Sequence, residues 1–167
     1  REALTIYRKT LGDDDPYVAR TLNSLGTVLL DMGDYATAEP LFDEALQSER
    51  RRLGEDHPQM AWNLNRLGEL RQRAGDDAAA EPLLRAALAN RGERRHIEHP
   101  YLVRTLNSLA SLLARRGECA EAEALLREAL EFRRGLLGDQ HPEVADSESR
   151  LGSILSAEGR WADAESL

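Results

Sequence analysis

Residues 53–68, Leu-Gly-Glu-Asp-His-Pro-Gln-Met-Ala-Trp-Asn-Leu-Asn-Arg-Leu-Gly, decide the fold, because their punctuation recurs along the chain. Pro58 has mates at Pro16, Pro100 and Pro142, each 42 residues from the next. Gly54 has mates at Gly12 and Gly138, with His96 in the missing place, and Gly68 has mates at Gly26 and Gly152, with Ala110 between. Gly33, Gly75, Gly117 and Gly159 complete a third column, and Pro40 and Pro82 are spaced likewise. Aligning residues 16–57 with 100–141 gives 21 identities in 42 positions. A fixed period of this size is the signature of a repeat array.

Each unit reads as two helices. Proline suits the first helical position, where its missing N–H has no partner in any case. Leu22, Leu25 and Leu29 follow at i, i+3 and i+7, one helical stripe. The Gly33 column ends the first helix, since glycine adopts the left-handed cap without strain. Asp34, Asp76 and Glu118 follow directly and favour a helix start. Second helices are expected over 35–51, 77–93 and 119–134. Their apolar stripe is Ala38, Leu41, Phe42, Ala45 and Leu46 in one unit and Ala122, Leu125, Leu126, Ala129 and Leu130 in another. Small residues at Gly26, Ala38 and Ala45 and their mates allow close helix crossings. The expected organisation is a second helix and loop of a preceding repeat at 1–15, repeats at 16–57, 58–99 and 100–141, and a partial repeat at 142–167. Glu2-Ala3-Leu4 matches Glu44-Ala45-Leu46, and the last residues match 35–39, so a piece of a longer array is expected.

Composition agrees. The 167 residues include 28 Leu and 23 Ala but only seven Val and Ile together, which favours helix over strand. The class is therefore all-α. Net charge is −8, against a general nucleic-acid binder. No stretch approaches 18 apolar residues, so no membrane span is expected, and no charged-then-apolar leader is visible. A cytoplasmic location follows as the expectation. The single Cys119 excludes an internal disulfide. One Lys against 21 Arg points to a GC-rich, bacterial source.

The unit Leu53-Gly54-x-x-His57-Pro58, then Ala61-x-x-Leu64-Asn65-x-Leu67-Gly68, Gly75, Ala80-Glu81 and Ala87-Leu88 resembles the tetratricopeptide repeat, in the 42-residue variety of kinesin light chains and many bacterial signalling proteins. The resemblance covers the whole chain, with one departure where Arg95-His96 replaces the Leu-Gly pair. It implies a right-handed α-solenoid of antiparallel helix pairs whose first helices line a concave face that binds a peptide of a partner protein.

The residues opposite the apolar stripe say which peptide. They are Arg20, Asn23, Ser24, Thr27 and Asp31 in the first unit, and Trp62, Asn65, Arg66, Glu69 and Arg73 in the second. The third gives Arg104, Asn107, Ser108, Ser111 and Arg115, and the fourth Asp146, Ser149, Arg150, Ser153 and Ala157. Six arginines oppose three acids, so this stripe carries +3 and the rest of the chain −11. That asymmetry predicts an acidic peptide, unless arginine is simply the common polar residue of a solvated face. Asn23, Asn65 and Asn107 form a ladder suited to a peptide backbone, or else bond within the repeat. Trp62 would anchor a partner side chain or pack on an adjacent helix. Trp161, in the Tyr35 column, is expected in the core.

Other chemistry is weak. His57, His99 and His141 stand one repeat apart, so they cannot converge on a metal and are expected to cap the helices that follow. His96 has no third ligand near it, Asp13-Asp14-Asp15 lacks the alternating ligands of a calcium loop, and Cys119 has no motif partner. No catalytic motif occurs. No enzyme activity and no cofactor are expected. The partner is expected to be a peptide or protein, with no nucleic acid and no membrane, and the chain a monomer or a weak end-to-end self-associator. The rival functions are a structural, oligomerising spacer and the sensor arm of a larger signalling enzyme.

Overall fold

The computed structural model describes residues 2–55, 57–90 and 100–167. Every regular element among them is a helix: α1 (Glu2–Leu11), α2 (Pro16–Asp31), α3 (Tyr35–Leu53), α4 (Gln59–Arg73), α5 (Asp77–Ala89), α6 (Pro100–Arg115), α7 (Cys119–Leu137), α8 (Pro142–Ala157) and α9 (Trp161–Glu165). They fall into two compact units, Arg1–Arg95 and His96–Leu167.

The same local devices set the helix ends in both units. Gly33 sits at φ +79°, where a side chain would be strained. Its N–H donates to the Leu30 carbonyl at 3.1 Å, and the Asp34 N–H reaches back to the Leu29 carbonyl at 2.9 Å. This pair of bonds satisfies the last carbonyls of α2 and turns the chain. The identical pair recurs at Gly75/Asp76, Gly117/Glu118 and Gly159/Arg160. Asp34 then caps α3, accepting from the Thr37 N–H at 3.2 Å, and Asp76 caps α5, accepting from the Ala79 N–H at 3.1 Å. At the end of α1, α3 and α7 an arginine pairs with a loop acid, as Arg8–Asp13 at 3.5 Å, Arg50–Glu55 at 3.3 Å and Arg134–Asp139 at 3.7 Å.

The expected histidine caps are present where the structure describes them. His57 Nδ1 accepts from the Gln59 N–H at 3.1 Å and His141 Nδ1 from the Glu143 N–H at 3.2 Å. Asp15 performs the same task for α2, accepting from the Tyr17 N–H at 2.8 Å. His96, His99 and the Arg95-His96 departure lie outside the described residues.

In the first unit α2 packs on α3, α4 on α5, α3 on α4 and α1 on α2, while α2 also meets α4. Leu29, Leu30, Ala38, Phe42, Leu46, Met60, Leu67 and Leu70 form one buried cluster, and Leu4, Val18, Ala19, Leu22 and Ala45 a second. The close crossings expected at the small residues occur. A Cβ at Gly26 would stand 2.8 Å from Phe42 Cε1, and one at Gly68 2.7 Å from Leu84 Cδ2. In the second unit α6 packs on α7, α7 on α8 and α8 on α9, around buried Leu106, Leu109, Ala110, Leu126, Leu130 and Leu151.

Trp161 corrects the sequence expectation: it is 65 % exposed, not core. Its mate Tyr35 is covered because it packs against a cluster that includes Met60, Leu67 and Leu70 of α4. Among the described residues no helix follows α9 to do the same for Trp161.

Candidate functional site

The polar stripe lies on the first helix of each pair: α2 and α4 in one unit, α6 and α8 in the other. Its side chains take three kinds of position.

The asparagines lie deepest. Asn23 is 4 % exposed and Asn65 1 %, while Asn107 is half-buried. Asn23 Nδ2 donates to Asn63 Oδ1 at 2.9 Å, and Asn63 Nδ2 donates to Glu49 Oε2 at 2.6 Å. Part of the ladder therefore bonds between repeats, from α2 to α4, rather than within its own repeat. One buried amide atom of each rung nonetheless has no hydrogen-bond partner: Asn23 Oδ1, Asn65 Nδ2 and Asn107 Oδ1. A buried amide group left unsatisfied costs about 1–3 kcal/mol, and here the omission falls in the same column three times.

A second group forms an ionic and stacked cluster in the first unit. The Arg66 guanidinium lies 5.3 Å from the centre of the half-buried Trp62 ring. Arg66 Nη1 donates to Glu69 Oε2 at 3.2 Å and Arg73 Nη2 to Glu69 Oε1 at 2.9 Å. Arg73 Nη1 also donates to Asp31 Oδ1 on α2 at 3.4 Å. Asp31 and Arg73 occupy the same repeat column, so α2 and α4 lie side by side in register. Asp31, Arg66, Glu69 and Arg73 together carry no net charge. The positive surplus of this unit's stripe is then Arg20, exposed and stacked 4.7 Å over Tyr17, whose ring in turn stacks on Tyr7.

The third group is open. On α6, Arg104 and Arg115 are exposed and Ser108 is half-buried, and Arg115 Nη1 donates to Ser111 Oγ at 3.2 Å. On α8 the exposed Arg150 bonds Asp146 at 3.1 Å. That bond, assisted by Arg133, holds the Asp146 carboxyl below its ordinary range against the opposing effect of burial.

Sequence reasoning missed the Glu49–Asn63–Asn23 chain. A signal existed, because the Asn63 column is polar in every unit, as Thr21, Asn63, Thr105 and Ser147. In the fourth unit Ser147 Oγ accepts from Arg133 Nη1 at 2.7 Å, and Arg133 is the mate of Glu49. Nothing metal-like appears: among the described residues no group of three His, Cys, Asp or Glu could hold an ion. Cys119 is a half-buried free thiol. No helix there is long and apolar enough to cross a membrane.

A family model described as "Tetratricopeptide repeat" matches residues 1–48, 17–93 and 101–167. The fold is similar to that of a putative kinesin light chain with nearly identical TPR-like repeats from Podosopora anserina, at 22 % identity and TM-score 0.78, covering 98 % of this chain and 77 % of that one. It is also similar to BtubC (BKLC) from P. vanneervenii, at 21 % identity and TM-score 0.84, covering 99 % of this chain and 66 % of that one. The type III secretion translocator chaperone SycD of Yersinia enterocolitica aligns at 21 % identity and TM-score 0.67, over 90 % of this chain and 92 % of that one. No curated protein matches.

Proposed function

This chain belongs to the tetratricopeptide repeat family, with repeats like those of kinesin light chains, and on that premise we propose that it is a protein-interaction module that takes an extended, acidic peptide of a partner protein along its first helices. One recurrence carries the proposal. In each of three repeats the stripe holds an asparagine with an unpartnered amide atom, Asn23, Asn65 and Asn107, and an arginine of the same helix, three residues before it in two repeats (Arg20, Arg104) and directly after it in one (Arg66). A peptide backbone offers both N–H and C=O groups to such a ladder, and its acidic side chains offer carboxylates to the guanidinium forks. Arg73, Arg115 and Arg150 extend the positive set, Trp62 supplies an apolar wall, and Ser108 a further hydroxyl. Because Asn23 and Asn65 are covered, binding requires the neighbouring side chains to shift.

Peptide-display panning followed by affinity measurement at about 50 and about 500 mM salt tests this, since exposed charge pairs are screened within roughly a Debye length. Acidic hits that weaken strongly with salt support the proposal. Enrichment without acidic residues, or affinity independent of salt, overturns it.

A further inference from the structure

Glu69 is out of keeping with its column. Its mates are Thr27, Ser111 and Ser153, all hydroxyls. In the second repeat alone a carboxylate stands there, and it takes both oxygens to arginines of the stripe: Oε2 to Arg66 at 3.2 Å and Oε1 to Arg73 at 2.9 Å. Glu69 and Arg66 are largely covered, their side chains 14 % and 12 % exposed. A carboxylate held between two guanidiniums is the arrangement an acidic peptide side chain would adopt at this place.

We infer that Glu69 is a built-in competitor: it occupies the Arg66–Arg73 forks in the free protein, and an incoming acidic side chain must displace it. This rests on the proposed acidic-peptide function and adds its regulation. The consequence is selectivity. A ligand with a single carboxylate at this place exchanges one ion pair for another and gains little, whereas a ligand bound firmly through neighbouring repeats forces the exchange. The repulsion between Glu69 and an acidic ligand is a discriminating element of the kind that specific interfaces use alongside attraction.

The test uses a fluorescent hexaglutamate peptide and anisotropy at low salt, on the wild-type chain, Glu69→Ser, and Glu69→Ser combined with Arg66→Gln and Arg73→Gln. Serine is the column's own residue, so the variant is expected to fold, and a thermal melt checks it. Asp13→Ser, a loop substitution with the same charge change, controls for net charge. The expected result is that Glu69→Ser binds roughly three- to tenfold more tightly than wild type, that Asp13→Ser does not match it, and that the gain vanishes in the triple variant. Binding by Glu69→Ser alone would carry the same meaning. If wild type binds and Glu69→Ser is no tighter, or the gain survives loss of both arginines, the competitor role falls while the acidic-peptide function stands. If no variant binds, the acidic-peptide function falls and takes this role with it.

Discussion

The Glu49 carboxylate on α3 accepts a 2.6 Å hydrogen bond from Asn63 Nδ2 on α4. Glu49 is 6 % exposed and Asn63 is fully buried. An ionised carboxylate can only accept, so it fixes which way the Asn63 amide faces. The Asn63 oxygen is then the atom left to receive Asn23 Nδ2 from α2, at 2.9 Å. One acid thus orders two asparagines across three helices and leaves the Asn23 oxygen as the unpartnered end.

Burial pushes the Glu49 carboxyl above its ordinary pKa, with the Asn63 hydrogen bond and the Arg52 charge opposing. The folded chain therefore holds the Glu49 proton more tightly than the unfolded chain. Its contribution to stability is fully present below the unfolded pKa, about 4.3, and is lost as pH rises through the raised folded value. Glu49→Gln removes this titration and keeps an acceptor for Asn63. Thermal melts at about pH 4 and about pH 7 should show the variant gaining on wild type as pH rises. Parallel pH profiles would mean that Glu49 titrates as if unburied.

The caps give a second expectation. His141 and Asp15 stand in the same repeat column and the same role, each accepting from the N–H of the second residue of its helix. His141→Ala should lower stability by about 0.5–2 kcal/mol. His141→Asp should restore it, since Asp15 already caps α2. Urea titration of the three proteins decides it, and an equal loss in both variants would show that the imidazole does more than cap.

What was legible in the sequence is what depends on backbone conformation and repetition. Gly33 and its mates recur because a left-handed cap requires glycine, and the Pro16 column because helix starts tolerate proline. The Leu22 stripe shows which side faces inward. Periodicity does not show what covers a position on the remaining arc. Asn23 and Asn65, placed on an open face by spacing, are buried, and Asn63 on the first helix of the following repeat bonds Asn23. Trp161 failed in the opposite direction, because burial in its column depends on a following helix. The +3 stripe charge, with Glu69 and Asp31 already subtracted, was countable, but the count does not show that Glu69 bonds both Arg66 and Arg73 or that Asp31 reaches Arg73 from the neighbouring first helix.

The two arginines bound to Glu69 should differ when removed. Arg73 is 43 % exposed on its side chain, whereas Arg66 is 12 % exposed and also covers Trp62. Exposed ion pairs are worth about 0.2–1 kcal/mol, so Arg73→Gln should change stability by no more than that. Arg66→Gln disturbs a covered pair and a stacked ring and should cost about 1–3 kcal/mol. Chemical denaturation of both single variants checks the order; equal costs would mean that the Arg66–Glu69 pair is as solvated as its neighbour.

Gly26 and Gly68 share a column but face different side chains, and this separates shape from backbone. A Cβ at Gly26 would lie 2.8 and 2.9 Å from Cε1 and Cζ of Phe42, a fully buried ring. A Cβ at Gly68 would meet Leu84 at 2.7 Å from Cδ2 and 2.8 Å from Cγ. The third repeat already holds the combination Ala110 with Leu126 at these two columns, both buried. An alanine there is therefore compatible with leucine, and helix-interior alanine gains roughly 0.5–1 kcal/mol over glycine. Gly68→Ala should be close to neutral once Leu84 changes rotamer. Gly26→Ala should lose about 1–3 kcal/mol, because a ring cannot bend out of the way. Adding Phe42→Leu, which recreates the third repeat's pair, should cost less in the Gly26→Ala background than in wild type. A double-mutant cycle in urea measures that coupling. Additive costs would show that Phe42 is not what keeps position 26 a glycine.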